Sequence, residues 1–274
     1  MVNTSTVNIS LVILGAQKSG TTSLHQLLDR HPDIYMSKPL KEPGYYLPLN
    51  QIQRSWKRKK GFAIQNREQL LKRYMLASYN KEPIIGESST YYTIGFNARK
   101  LDIPKRIMQN NPSMKFIYIM RNPIERIFSN YKHLVYHHGY NESFSKFLET
   151  SEGRRALLTT CYYYQISAYI EFFGQQNIFV ESLENLINKP AKVTQSIFQF
   201  LELKLNLETL KLEKKNSSPY SSDTDIKKQI NYENFEKIMN YIKSDLYLLK
   251  KYVYSDIENW NLSWEAFCKD HSLK

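Results

Sequence analysis

Residues 11–28 read LVILGAQKSGTTSLHQLL. The apolar run Leu11 to Leu14, closed by Gly15, has the composition of a strand buried in a parallel sheet. After Thr21 the apolar spacing becomes helical, with Leu24, Leu27 and Leu28 on one side. The stretch is therefore strand, glycine loop, helix. Such a loop directs backbone N–H groups at one point beside a helix N-terminus, and a lysine and several hydroxyls join them there. This is an anion site, and the phosphate end of a nucleotide is its natural guest. The order differs from Gly-Lys-Ser/Thr of a Walker loop: Lys18 lies inside the turn and Gly20 is followed by Thr21 and Thr22. No neighbouring strand ends in a metal-binding aspartate. A phosphate cradle is expected, with no metal.

Working outward, further strands are expected at Ile34 to Met36, Pro83 to Glu87, Lys115 to Met120 and Ile178 to Val180. KFIYIM at 115–120 is the clearest interior strand, and Pro123 is placed to open a helix after it. In open parallel sheets ligands gather at the carboxyl ends of strands. Glu87, Ser88 and Arg121 occupy such ends. Arg121, with Ser129 two turns into the following helix, is placed to face one phosphate. Residues 38–46 hold two prolines and a glycine and form a loop carrying the pair Lys41–Glu42 between aromatics. It reads as a functional loop or, equally, as a surface ion pair.

Helices are expected from an Asn66 cap to Tyr79, over 104–110 behind an Asp102 cap, from a Ser143 cap to Glu149, around 162–173, over 190–201, and lastly over 232–254 behind an Asn231 cap. Residues 211–225 are polar and read as a long loop. His133, His137 and His138 close the helix that begins at Pro123, where they suit its dipole. They are not spaced as a metal set.

The 274 residues, 42 % hydrophobic and 14 % aromatic, suffice for one large domain over 1–274. The 38 Lys+Arg against 26 Asp+Glu give +12, which favours anionic ligands. No nucleic-acid-binding signature and no membrane-length apolar run is present, so neither nucleic acid nor membrane is an expected partner. The two cysteines form no framework. The N-terminus lacks a signal-peptide layout, and a cytoplasmic location is the default expectation. The Lys-, Asn-, Ile- and Tyr-rich composition suits a low-GC bacterium.

These segments resemble a known family. LGAQKSGTTSL is similar to the 5′-phosphosulfate loop of sulfotransferases that use 3′-phosphoadenosine-5′-phosphosulfate (PAPS), and FIYIMRNPIERIFSNY is similar to their 3′-phosphate segment. KEPGYY resembles the Lys-Glu loop of the heparan-sulfate-type and bacterial branch, and GESSTYY and SLENLINKP resemble its later signatures. The similarity runs from about Ile9 to Leu203. It implies an α/β fold, a three-layer parallel β-sheet flanked by helices, P-loop nucleotide-binding-like. It implies cofactor binding by Gln17, Lys18, Ser19, Gly20, Thr21, Thr22, Arg121 and Ser129, with Asn216 and Ser217 standing where a late glycine loop covers the cofactor. The catalytic candidates are Lys18 and, as general base, Glu42, with Glu87 second. A lysine common after the second-strand glutamate in glycan enzymes is Ser88 here.

The implied reaction is in-line transfer of a sulfuryl group to a hydroxyl or amine of a small-molecule acceptor, leaving 3′,5′-adenosine bisphosphate. A glycan acceptor is the alternative. A base needs a raised pKa, so Glu42 is expected in a partly buried pocket, with Lys41 opposing the shift if close. A magnesium-dependent P-loop kinase or NTPase and a non-catalytic nucleotide-binding module are the competing classes. The oligomeric state is not legible.

Overall fold

The computed structural model describes residues 8–60, 64–204, 230–260 and 262–271. In chain order the elements are β1 (Leu11–Gly15), α1 (Thr21–Leu28), β2 (Ile34–Met36), α2 (Leu49–Lys60), α3 (Arg67–Gln69) running into a π-helical turn Leu70–Met75, β3 (Ile84–Glu87), α4 (Asn97–Lys100), α5 (Ile103–Asn110) and β4 (Lys115–Met120). There follow α6 (Pro123–His138), α7 (Phe144–Glu149), α8 (Ser151–Thr160), α9 (Tyr162–Phe173), β5 (Ile178–Ser182), α10 (Leu183–Asn188), α11 (Pro190–Phe200), α12 (Tyr232–Tyr252) and α13 (Trp264–His271).

The strands form one parallel sheet in the order β2-β3-β1-β4-β5. Side chains alternate across it, as strand geometry requires. Val12 and Leu14 of β1 and Phe116, Tyr118 and Met120 of β4 enter the larger apolar layer, with Ile124, Ile127 and Phe128 of α6 and Tyr162, Ile166 and Tyr169 of α9. Leu11, Ile13, Ile117 and Ile119 point the other way and meet Leu24, Leu27 and Leu28 of α1 and Val193, Ile197 and Phe198 of α11. Helix layers on both faces explain why β1 and β4 are apolar without interruption.

Several local expectations change. The helix predicted over 66–79 keeps its Asn66 cap but stops at Met75. Carbonyls of its last turn are claimed from outside: Lys38 N–H donates to Met75 O, Leu40 N–H to Tyr74 O, and the Tyr35 hydroxyl to Met75 O. Asp102 precedes α5 with φ 51 and makes no side-chain cap. Helices α8 and α10 were not foreseen, and α12 is followed by a further helix, α13. The loop read over 211–225, with Asn216 and Ser217, lies outside the described residues. Among the described residues no helix is long and apolar enough to cross a membrane.

Gly20 ends the loop as the N-cap of α1 with φ 78, and a Cβ there would lie 2.5 Å from Leu183 Cδ1. Left-handed backbone costs an L-residue about 1–2 kcal/mol. Gly20→Ala should therefore lower stability by at least that amount, measured by urea unfolding.

Candidate active site

The loop 16–20 and the Arg121 turn leave the carboxyl ends of neighbouring strands β1 and β4. Their charges meet there. Lys18, at φ 71, has its pKa lowered first by burial, then by repulsion from Arg121, Lys132 and Arg126. Ser19 is fully buried, and its hydroxyl has no hydrogen-bond partner among the described residues. A concentration of positive charge around an unsatisfied hydroxyl and a helix N-terminus fits a phosphate-bearing ligand. Gln17 contributes through its backbone, its carbonyl accepting from Arg126 Nη1 at 3.4 Å.

Arg126 was not singled out by the sequence reading. It is fully buried on α6, and it donates through Nε to Thr160 Oγ1 at 2.6 Å and through Nη2 to Ala156 O at 2.6 Å. It thereby ties the loop to α8. Arg121 pairs with Glu125 at 3.0 Å. Ser129 is half-buried two turns along α6. His133, four residues past Ser129, lies on the same side of the helix. Burial, then Lys18, then His137 and His138, push its pKa down to about 4. Its relation to Ser129 was the available signal that it belongs near the loop.

On the other side of β1 the Lys41–Glu42 pair approaches α1. Lys41 Nζ donates to Thr21 Oγ1 at 3.2 Å and to Glu42 Oε1 at 2.9 Å, while Thr90 Oγ1 donates to Glu42 Oε2 at 3.2 Å. Glu42 lies nearer the surface than the partly buried pocket expected for it: its side chain is 42 % exposed. The loop's path leaves it at the surface, open to an incoming molecule. Thr22 stands in the first turn of α1.

Glu87 is the opposite case. It is fully buried, and both carboxylate oxygens are used: Oε1 accepts from the Tyr92 hydroxyl at 2.5 Å, and Oε2 from the Ser89 N–H at 2.9 Å and from the Ser89 hydroxyl. Ser89 Oγ and Tyr92 OH in turn accept from the N–H groups of Gly44 and Tyr46. Glu87 thus fixes the loop that carries Glu42. Ser88 also faces inward: its Oγ lies 2.7 Å from Nδ1 of His25, a buried imidazole on α1. Burial, then Lys41 and Lys38, push the His25 pKa down to about 3, so this ring is neutral.

The sequence matches the family model described as "Sulfotransferase family" over residues 10–206. The chain belongs to the sulfotransferase family. It is 27 % identical over 204 residues to the bifunctional heparan sulfate N-deacetylase/N-sulfotransferase 1 of Caenorhabditis elegans, covering 70 % of this chain and 22 % of that protein. It is 24 % identical over 204 residues to the human heparan sulfate glucosamine 3-O-sulfotransferase 5, covering 70 % and 53 %. The chain thus spans about half or less of the curated relatives it matches. In fold it is similar to a sulfotransferase from Alicyclobacillus acidocaldarius, with TM-score 0.74, 22 % identity, and 93 % and 99 % of the two chains covered.

For this sulfotransferase the buried Glu87 makes stability pH-dependent. Burial outweighs the hydrogen bonds from Ser89 and Tyr92 and raises its pKa from 4.5 to about 7. The folded chain keeps this proton up to about pH 7, whereas the unfolded chain releases it near 4.5, so the folded state binds more protons in between. Stability from this group therefore falls as pH rises through that window, by an amount of order 3 kcal/mol. Glu87→Gln, which imitates the protonated form, should flatten that part of a denaturation-versus-pH profile.

Proposed function

We propose that this sulfotransferase moves a sulfuryl group from PAPS to a hydroxyl or amine of a small metabolite, a bacterial natural product among the candidates, by in-line displacement. One observation carries the reading: the Lys41 ammonium stands between the Thr21 hydroxyl of the anion loop and the exposed Glu42 carboxylate. A donor held by the loop and an acceptor held at Glu42 would then meet across a single positive charge.

PAPS supplies an activated sulfuryl group on a phosphate leaving group. The N–H groups from Ser19 to Thr22, with the Ser19, Thr21 and Thr22 side chains, would hold the 5′-phosphate end, and Arg121 with Ser129 the 3′-phosphate. Glu42 takes the acceptor's proton as its oxygen or nitrogen bonds to sulfur. Lys18 meets the negative charge that grows on the departing phosphate oxygen as the S–O bond breaks. Glu87 acts through the loop backbone as a positioning group. A second reading, a glycan acceptor, draws on the names of the relatives. It also draws on the exposed Tyr91 and Phe96 beside Thr90, where Phe96 packs edge-on to Tyr164, over whose ring Arg99 lies.

Calorimetry with 3′,5′-adenosine bisphosphate against magnesium-ATP tests the donor, and turnover with PAPS over small hydroxyl, amine and glycan acceptors tests the class. Lys18→Ala should lower kcat by about 10²–10³-fold. Glu42→Gln should lower it by about 10²–10⁴-fold while bisphosphate affinity stays within twofold. Unchanged turnover in Glu42→Gln would remove the base assignment. Tighter binding of magnesium-ATP than of the bisphosphate would remove the donor.

A further inference from the structure

The turn that carries Arg121 is not held by its own strand and helix alone. Asn122, which caps α6 by accepting from the N–H groups of Ile124 and Glu125, is gripped from two other parts of the chain. Its N–H donates to Glu184 Oε1 at 2.9 Å, and its side-chain Nδ2 donates to the carbonyl of Trp260 at 2.7 Å. Trp260 Nε1 donates to the second oxygen of the same carboxylate, Glu184 Oε2, at 3.0 Å. A closed triangle results: Asn122, Glu184 and Trp260 each bond the other two. The buried Tyr162 ring lies 5.9 Å from the Trp260 ring; the Tyr162 hydroxyl donates to Arg121 O at 2.6 Å and accepts from the Arg121 N–H at 3.3 Å. Both backbone polar groups of Arg121 are thereby fixed by one phenol that packs on Trp260.

The segment bearing Trp260 is itself anchored beside β5. The Tyr254 hydroxyl donates to Glu181 Oε1 at 2.5 Å, Asn185 Nδ2 donates to Asp256 Oδ2 at 3.1 Å, and the Tyr254 ring stacks on Trp260 at 6.4 Å. Trp260 is buried. Tyr254, Asp256 and Trp260 lie past the 10–206 span of the family model. The contacts of this apparatus converge on the two residues that open the turn.

We infer that Trp260, acting through Glu184, Asn122 and Tyr162, is a positioning residue for Arg121, and that the segment after α12 sets how well the enzyme tells a 3′-phosphorylated nucleotide from one without that group. This rests on the donor reading above, in which Arg121 meets the 3′-phosphate. A charge-assisted arginine–phosphate contact depends on the direction of a planar fork, so a small turn of its backbone costs the contact while leaving the charge nearby. The 5′ end would be held by the loop after β1, at the end of a different strand.

The test measures dissociation constants by calorimetry for 3′,5′-adenosine bisphosphate and for adenosine 5′-monophosphate, and compares their ratio. In the wild type the bisphosphate should bind more tightly. Trp260→Ala should weaken the bisphosphate by about tenfold or more and the monophosphate by less than about twofold, so the ratio collapses. Trp260→Phe keeps a ring against Tyr162 but loses the donor to Glu184, and should give an intermediate ratio. If Trp260→Ala does not fold, Trp260→Phe and Glu184→Gln are read by the same ratio. An unchanged ratio, or equal weakening of both nucleotides, overturns the positioning role and leaves the donor reading standing. A wild type that binds the two nucleotides equally overturns the donor reading, and the inference with it.

Discussion

Like charges held together against their repulsion are the constraint on which this structure depends. Arg121, Lys132 and Arg126 all bear on Lys18, beyond the carboxyl ends of β1 and β4. Two unit charges 4 Å apart repel by about 4 kcal/mol where the effective dielectric is 20. Arg126 is fully buried and answered by carbonyl and hydroxyl oxygens of Gln17, Ala156 and Thr160. Such a cluster persists only if the backbone around it is over-determined. The bonds from Arg126 to α8 and from Tyr162 to Arg121 supply that rigidity. On the proposed reading, an anionic guest held here would offset part of that repulsion.

The two glutamates near β1 show how environment assigns work to identical side chains. Glu87 is sealed, its oxygens saturated by Ser89 and Tyr92, and its influence passes through the N–H groups of Gly44 and Tyr46. Glu42 sits on the loop so fixed, exposed and leaning on Lys41. Arg67 braces the same loop from α3, donating to the carbonyls of Tyr45 and Leu47. A mobile general base would lose much of its advantage to misalignment, so a surface carboxylate needs this kind of scaffold.

What could be read from the chain was what buried parallel strands write plainly. Leu11–Leu14 and Phe116–Met120 are continuous apolar runs ended by a glycine or by Arg-Asn-Pro, and both strands and their loops stand where that pattern places them. Helix α8 could not be read this way. Its SEGRRALLTT carries little apolar periodicity, and its inner face sets Leu157 among the small residues Gly153, Ala156, Thr159 and Thr160. Gly153 is there because a Cβ would lie 2.0 Å from Phe147 O, so α7 and α8 close to backbone contact. Once α8 is missed, Arg126 is missed with it. The pattern of Ile124, Ile127, Phe128 and Tyr131 marks the inner face of α6, and Arg126 falls off that stripe, buried by α8. The exposure of Glu42 and the reach of Trp260 to Asn122 are tertiary quantities with no local trace in sequence.

The strand order β2-β3-β1-β4-β5 sets β1 in the middle of the sheet. The residues proposed to grip the nucleotide come from β1 and from β4 on one flank, while the loop carrying Glu42 is braced by β3 on the other. On that reading the sheet separates an invariant task from a variable one. Insertions or replacements between β2 and α4 that spare Lys41 and Ser88, which reach Thr21 and His25, could redirect the enzyme to a new acceptor without disturbing the grip on the nucleotide, so a lineage built on this frame can diversify its chemistry from one flank alone.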